Sequence, residues 1–170
     1  MHSNLVTELY LIRHGIAADR EAYAHDQDRP LTDEGRRKTK KVAKRLRELG
    51  LQFDLILTSP FVRSHQTATI LQAAGLSSQI EESSYLAPNG DINSWLSWLE
   101  EWHQDTNNKY LALVGHQPDL GNWAEILVWG DAKEKLVLKK AGIIGLTLPE
   151  TKTPIGNSQL FLLASPKWLI

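Results

Sequence analysis

Apolar positions along this chain fall into two patterns. Short continuous runs at Leu9-Tyr10-Leu11-Ile12, Leu55-Ile56-Leu57-Thr58, Tyr110-Leu111-Ala112-Leu113-Val114, Ile143 to Leu148 and Leu160 to Ala164 are too brief for helices and read as buried strands. Between them, apolar residues recur three and four positions apart. A first helix is expected to open at Thr32, with Asp33 and Glu34 in its positive first turn, Val42, Leu46 and Leu49 on one face and Gly50 as its stop. A second runs from Pro60 to about Ala74, with Ser59 as its cap and Thr67, Ile70, Leu71 and Ala74 on one side. A third begins near Asp91 and shows Ile92, Trp95, Leu96, Leu99 and Trp102, and a fourth follows Pro118 with Leu120, Trp123, Ala124 and Leu127.

Strands that alternate with helices predict an α/β fold, a three-layer α/β/α sandwich around a mostly parallel sheet. The last two runs have nothing helical between them, only a loop around Pro154-Ile155-Gly156-Asn157, so they predict an antiparallel hairpin at one edge. No internal repeat, linker or low-complexity tract interrupts the pattern. One domain spanning 1–170 is expected.

Composition narrows the function classes. A chain of 170 residues, 42% hydrophobic, is long enough to bury one sizeable core. Its net charge of -1 offers no general attraction for nucleic acid. With no cysteine, disulfides and thiolate metal sites are excluded. No apolar stretch approaches the roughly 20 residues that cross a bilayer. Met1 to Glu8 is polar and lacks the features of a secretion signal, so a soluble, cytoplasmic protein is expected.

The candidate chemistry sits where the strands end. Arg13-His14-Gly15 leaves the first run, Gly115-His116-Gln117-Pro118 leaves the third, and Ser59-Pro60 leads from the second to Arg63 at the start of a helix. Open α/β sheets bind ligands at the carboxyl ends of their strands, and helix amino ends and guanidinium groups attract anions. Imidazole, with an ordinary pKa of about 6.5, offers a free lone pair near neutrality. Arg13 and Arg63 would disfavour a protonated His14, and their forked donors match phosphoryl oxygens. A carbonyl just after His14 is the expected holder of its second ring nitrogen, and Gly15 allows that close turn.

This ordered set, with Arg29-Pro30-Leu31-Thr32 and Gly35 in between, resembles the histidine phosphatase superfamily, the group that also contains the phosphoglycerate mutases. Within it, the chain is most similar to the small SixA-type phosphohistidine phosphatases, over a stretch from about Leu9 to the final strand. The resemblance implies a phosphoglycerate mutase-like fold and a phosphoryl transfer in which His14 becomes phosphorylated. It further implies a phosphate pocket of Arg13, Arg63 and His116, the latter also counted as catalytic, and no metal or organic cofactor. For the proton donor it points to Asp26, in His25-Asp26-Gln27-Asp28-Arg29; Asp28 and the absence of a dedicated acid stay open as alternatives.

A weak acid suits one substrate class. A phosphoramidate such as phosphohistidine can be protonated on its own leaving nitrogen, whereas an alkyl phosphate must expel a basic alkoxide. Short connections between the catalytic strands predict an open pocket that could admit a phosphorylated side chain of another protein. The primary expectation is a phosphatase acting on protein phosphohistidine, with a histidine-containing phosphotransfer domain or carrier as partner. A hydrolase of small phosphate esters or phosphoanhydrides is one alternative, and a non-catalytic phosphate-binding module is another.

Other features take plainer readings. The basic run Arg36-Arg37-Lys38-Thr39-Lys40-Lys41, continued by Lys44, Arg45 and Arg47, is a solvated helix face that could still steer an acidic protein. Trp95, Trp98 and Trp102 have helical spacing and are expected to pack. His2, His25, His65 and His103 show no paired metal-ligand spacing, and of these His25 alone is near enough to the presumed pocket to take part.

Overall fold

The computed structural model describes residues 6–170, so His2 and most of the polar start lie outside the described residues. In chain order the elements are β1 (Thr7–Arg13), α1 (Asp33–Glu48), β2 (Leu55–Thr58), α2 (Val62–Ala73), β3 (Ile80–Glu82), α3 (Ile92–Asp105), β4 (Tyr110–Gly115), α4 (Asp119–Trp129), β5 (Ile143–Leu148), β6 (Gln159–Ala164) and α5 (Pro166–Leu169). The six strands form one sheet in the order β3-β2-β4-β1-β5-β6. The first four in that order are mutually parallel, and β5 runs antiparallel to both β1 and β6. This is the mixed sheet with an antiparallel edge pair that the apolar runs predict.

Alternation along the strands builds two separate cores. Leu9, Leu11, Leu55, Leu57, Leu111 and Leu113 cluster with Trp95 and Leu99 of α3 and Trp123 and Leu127 of α4. Tyr10, Ile12, Ile56, Ala112 and Val114, the alternate positions, cluster with Val42 and Leu46 of α1 and Ala68 and Leu71 of α2. Both faces of the central strands are therefore covered, which is why they read as continuous apolar runs. Each large side chain so buried contributes about 1.5–3 kcal/mol. Four tryptophans join the first core: Trp95 is fully buried against Trp123 with ring centroids 5.5 Å apart, and Trp98 stacks on Trp102 at 5.7 Å.

Most helix ends lie where the sequence places them. Thr32 caps α1 by accepting from the Gly35 amide at 2.9 Å, and Asp91 caps α3 by accepting from Asn93 and Ser94. The second helix is a correction: its cap position is Phe61 and it begins at Val62, past Ser59 and Pro60. Residues 59–61 form a bend of their own ahead of the helix, in which the Ser59 hydroxyl accepts from the Phe61 amide at 3.2 Å and lies 2.8 Å from His116 Nε2. Two further elements, β3 and α5, carry too little pattern to be read. The residues of β3 are half-exposed or exposed, and α5 is four residues long. Among the described residues, no helix is long and apolar enough to cross a membrane.

Candidate active site

Register brings the two strand-end histidines together. In the parallel pairing of β1 with β4, Arg13 lies opposite Gly115, so His14 and His116 leave adjacent strands side by side. Their rings are 5.3 Å apart between centroids, and both residues are buried. The neighbouring strand β2 delivers Ser59 and, in the first turn of α2, the buried side chain of Arg63.

His14 is held in one tautomer. Its Nδ1 donates to the carbonyl of Gly15 at 2.7 Å, and its Nε2 accepts from Nε of Arg63 at 3.2 Å. The lone pair thus points toward the guanidinium. Burial, opposed by the Gly15 carbonyl but reinforced by His116, Arg63 and Arg13, pushes the imidazole pKa down to about 3. His14 is consequently neutral throughout the physiological range. A Cβ on Gly15 would run into the hydroxyl of Thr39, so the close turn that supplies this carbonyl requires glycine. The amide of Gly15 donates to Thr67 Oγ1 at 3.1 Å, and the same hydroxyl donates to the Arg63 carbonyl at 2.8 Å, tying the turn after β1 to α2.

His116 is held by its other nitrogen. Nε2 lies 2.8 Å from the Ser59 hydroxyl, which also accepts from the Phe61 amide at 3.2 Å. With that hydroxyl donating to Nε2, the ring proton sits on Nδ1, which is buried and has no partner among the described residues. Burial, then the nearby Arg63, push this pKa down to about 4. His116 therefore offers a neutral N–H donor, not the protonated imidazole that would add a further positive charge.

Arg63 and Asp26 pair directly in the cavity lining. The Arg63 Nη atoms donate to the Asp26 carbonyl at 2.8 Å and to its Oδ2 at 3.1 Å. Arg29 donates through Nε to the other carboxylate oxygen at 2.8 Å and through Nη1 to the Ala18 carbonyl. Burial would raise the Asp26 pKa, but the hydrogen bonds from Arg29 and Arg63 outweigh it and hold the carboxyl below its ordinary value. Arg13 donates through Nη1 to the Leu138 carbonyl at 3.1 Å, while its buried Nε lacks a partner among the described residues.

A cavity of about 330 Å³ is lined by Arg13, His14, Arg63, His116, Asp26 and Arg29, with Lys140 at its edge. All five residues singled out from the sequence thus meet at one place. Asp28 and His25 do not reach it: both are exposed and neither lines the cavity. The connection between β1 and α1, residues 14–32, carries two short 3-10 turns, Arg20–Ala22 and Asp26–Asp28, and the second forms one wall.

Sequence reasoning missed three contributors. Arg29 stands in the quoted Arg29-Pro30-Leu31-Thr32 segment, but only the folded loop shows that it grips Asp26. Lys140 had no motif to mark it. Buried Glu125 on α4 accepts from the amides of Lys133, Lys135 and Leu136 at 2.9, 2.9 and 3.2 Å and so anchors the segment that carries Leu138 and Lys140 to the cavity. The amide of Ala141 then donates to the carbonyls of Arg13 and His14, each at 3.1 Å.

Known proteins resemble this chain in sequence and fold. The profile of the histidine phosphatase superfamily (branch 1) matches residues 9–87, which contain His14 and Arg63 but stop short of His116. The solved structure of the protein histidine phosphatase SixA complexed with tungstate superposes with a TM-score of 0.84 and 26% identity, covering 96% of this chain and all of that one. This chain belongs to the histidine phosphatase superfamily. Phosphohistidine phosphatase SixA of Escherichia coli K12 is 27% identical over 154 residues, 90% of this chain and 92% of that protein. An uncharacterized protein of Picosynechococcus sp. is 53% identical over 164 residues, 96% of this chain and 99% of that protein. The fold is accordingly phosphoglycerate mutase-like, and the activity of this superfamily member is that of a phosphatase.

Proposed function

We propose that this phosphatase removes phosphate from phosphohistidine on a partner protein, by way of a phosphoryl group carried transiently on His14. A cytoplasmic setting goes with this reading. The observation that carries it is the state of Asp26, the one carboxylate among the residues lining the cavity, which two arginines hold ionised. A carboxylate that carries no proton suits a leaving group that arrives already protonated, as an imidazole can and an alkoxide cannot.

In the first step, Nε2 of His14 forms a bond to phosphorus while the bond from phosphorus to the leaving imidazole nitrogen breaks. The substrate ring, already protonated from solvent on its other nitrogen, keeps the bonding pair and leaves as neutral imidazole. The phosphoryl oxygens take the donors of Arg63, the free Nε of Arg13 and Nδ1–H of His116. As the phosphoryl charge draws on Arg63 and Arg29, their hold on Asp26 slackens and its pKa rises toward the ordinary range. In the second step, water attacks phosphorus, its proton passes to Asp26, and the pair of the Nε2–P bond returns to His14 as inorganic phosphate leaves. The Gly15 carbonyl keeps Nδ1–H in place throughout, so Nε2 alone is the attacking atom.

The test is a rapid quench with radiolabelled phosphohistidine peptide. The expected result is a protein adduct that survives alkali, is lost in acid and is absent from His14→Ala. An acid-stable adduct would contradict a phosphohistidine intermediate, and turnover of nitrophenyl phosphate without turnover of the peptide would move the substrate to small esters. In the same assay Asp26→Asn should slow adduct formation about tenfold from an alkyl phosphate and much less from phosphohistidine. Equal slowing would remove Asp26 from proton transfer to the leaving group.

A further inference from the structure

A second cavity, of about 570 Å³, adjoins the first and shares Arg13 and Lys140 with it. It lies between α1, the segment Lys139–Ala141 and the start of α5. Lys38, Lys139 and Lys167 complete its charged lining, and no carboxylate is among its lining residues. One buried polar atom of a lining residue, Thr39 Oγ1, has no hydrogen-bond partner among the described residues; Thr39 is only 1% exposed. The ordinary remedy for such a concentration of positive charge, an interleaved aspartate or glutamate, is missing.

From this we infer that the lysine-lined cleft between α1 and α5 is an anion subsite that engages acidic side chains flanking the phosphohistidine of a protein substrate. The inference rests on the phosphohistidine reading above. A protein face fits better than a compact polyphosphate for two reasons. The rim donors are exposed lysines, point charges on long stems, whereas tight phosphate recognition favours buried arginine forks like those of the neighbouring cavity. The floor is apolar, with Ile16 and buried Pro166 between the charges, which suits a surface where carboxylates alternate with apolar side chains. The reacting phosphoryl group would sit among His14, Arg63 and His116 while the acidic flank lies over Lys38, Lys139 and Lys167. Arg13 and Lys140 stand between the two.

The experiment compares wild type with the triple variant Lys38→Glu, Lys139→Glu, Lys167→Glu, whose substitutions leave the catalytic cavity intact. Three substrates are used: a phosphohistidine peptide flanked by aspartate and glutamate, the same peptide with asparagine and glutamine, and nitrophenyl phosphate. In wild type, kcat/KM is expected to favour the acidic peptide about tenfold at low salt, with the preference shrinking as salt rises. The triple variant should lose the preference while nitrophenyl phosphate turnover stays within about twofold of wild type. The unphosphorylated peptides, tested as inhibitors of nitrophenyl phosphate hydrolysis, read the subsite independently of phosphohistidine chemistry. Stronger inhibition by the acidic than by the neutral peptide in wild type, and equal inhibition in the variant, supports the subsite even if neither phosphopeptide is turned over, which would instead overturn the proposed function. Equal inhibition by both peptides in wild type, or an undiminished preference in the variant, would overturn the subsite. Lysine-dependent inhibition by methylene bisphosphonate but not by the acidic peptide would also overturn the protein assignment.

Discussion

His14 and His116 leave neighbouring parallel strands at matched positions, yet the fold makes them different reagents. For His14 the backbone holds Nδ1 and leaves Nε2 with its lone pair; for His116 a serine hydroxyl holds Nε2 and leaves Nδ1 without a partner among the described residues. In the proposed reaction one serves as the nucleophile, the other as a neutral hydrogen-bond donor. Burial drives both pKa values down, to about 3 and about 4, so the difference owes nothing to charge. It lies in which nitrogen the surroundings occupy, a matter of a few atoms beyond each ring.

The largest expected break in this comparison comes from His14→Ala. Loss of the attacking atom should lower kcat/KM for nitrophenyl phosphate by at least about a thousandfold, with the far-ultraviolet circular dichroism unchanged. Residual activity above about a hundredth of wild type would place the nucleophile elsewhere. His116→Ala removes a donor to the transition state and should cost about a hundredfold, without abolishing the labile adduct. An effect as large as that of His14→Ala would mean that the second imidazole does more than donate. Ser59→Ala releases the hold on His116 and should cost about tenfold, the value of one hydrogen bond. An unchanged rate would show that His116 needs no such support.

Stability against pH sharpens the same contrast. Unfolded, both imidazoles have a pKa of about 6.5. Folded, they stay neutral down to about 3 and about 4, so between those values and about 6.5 the unfolded chain binds more protons. Stability should therefore fall as pH falls through that window and recover as pH rises. His14→Gln removes one of the two titrations and should make the decline of the urea midpoint between pH 6.5 and 4 visibly shallower. A decline parallel to wild type would mean that His14 titrates alike in both states.

The sheet was legible because its central strands are buried on both faces, which prints them as apolar runs, and because both histidines follow those runs directly. The start of α2 was misread because the Ser59 hydroxyl does bond a local amide, that of Phe61, but in a bend before the helix, while it also reaches a histidine 57 positions away. The pairing of Arg29 and Arg63 with Asp26 depends on how a turn of Asp26–Asp28 docks against α2, which no periodicity records. Strand β3 was indistinct for the opposite reason to its neighbours: at the sheet edge it has one apolar residue, Ile80, beside exposed Glu81 and Glu82. The lysines of the second cavity are exposed side chains whose convergence from three segments only the fold creates.

The grip of Asp26 on Arg63 bears on how the protein lets go of what it makes. Three of the five N–H donors of that guanidinium are already engaged when no substrate is bound, two of them by one aspartate. Orthophosphate drifting in from the cell thus meets a resident rival for the same donors. In the proposed reaction this built-in competitor would temper retention of the product.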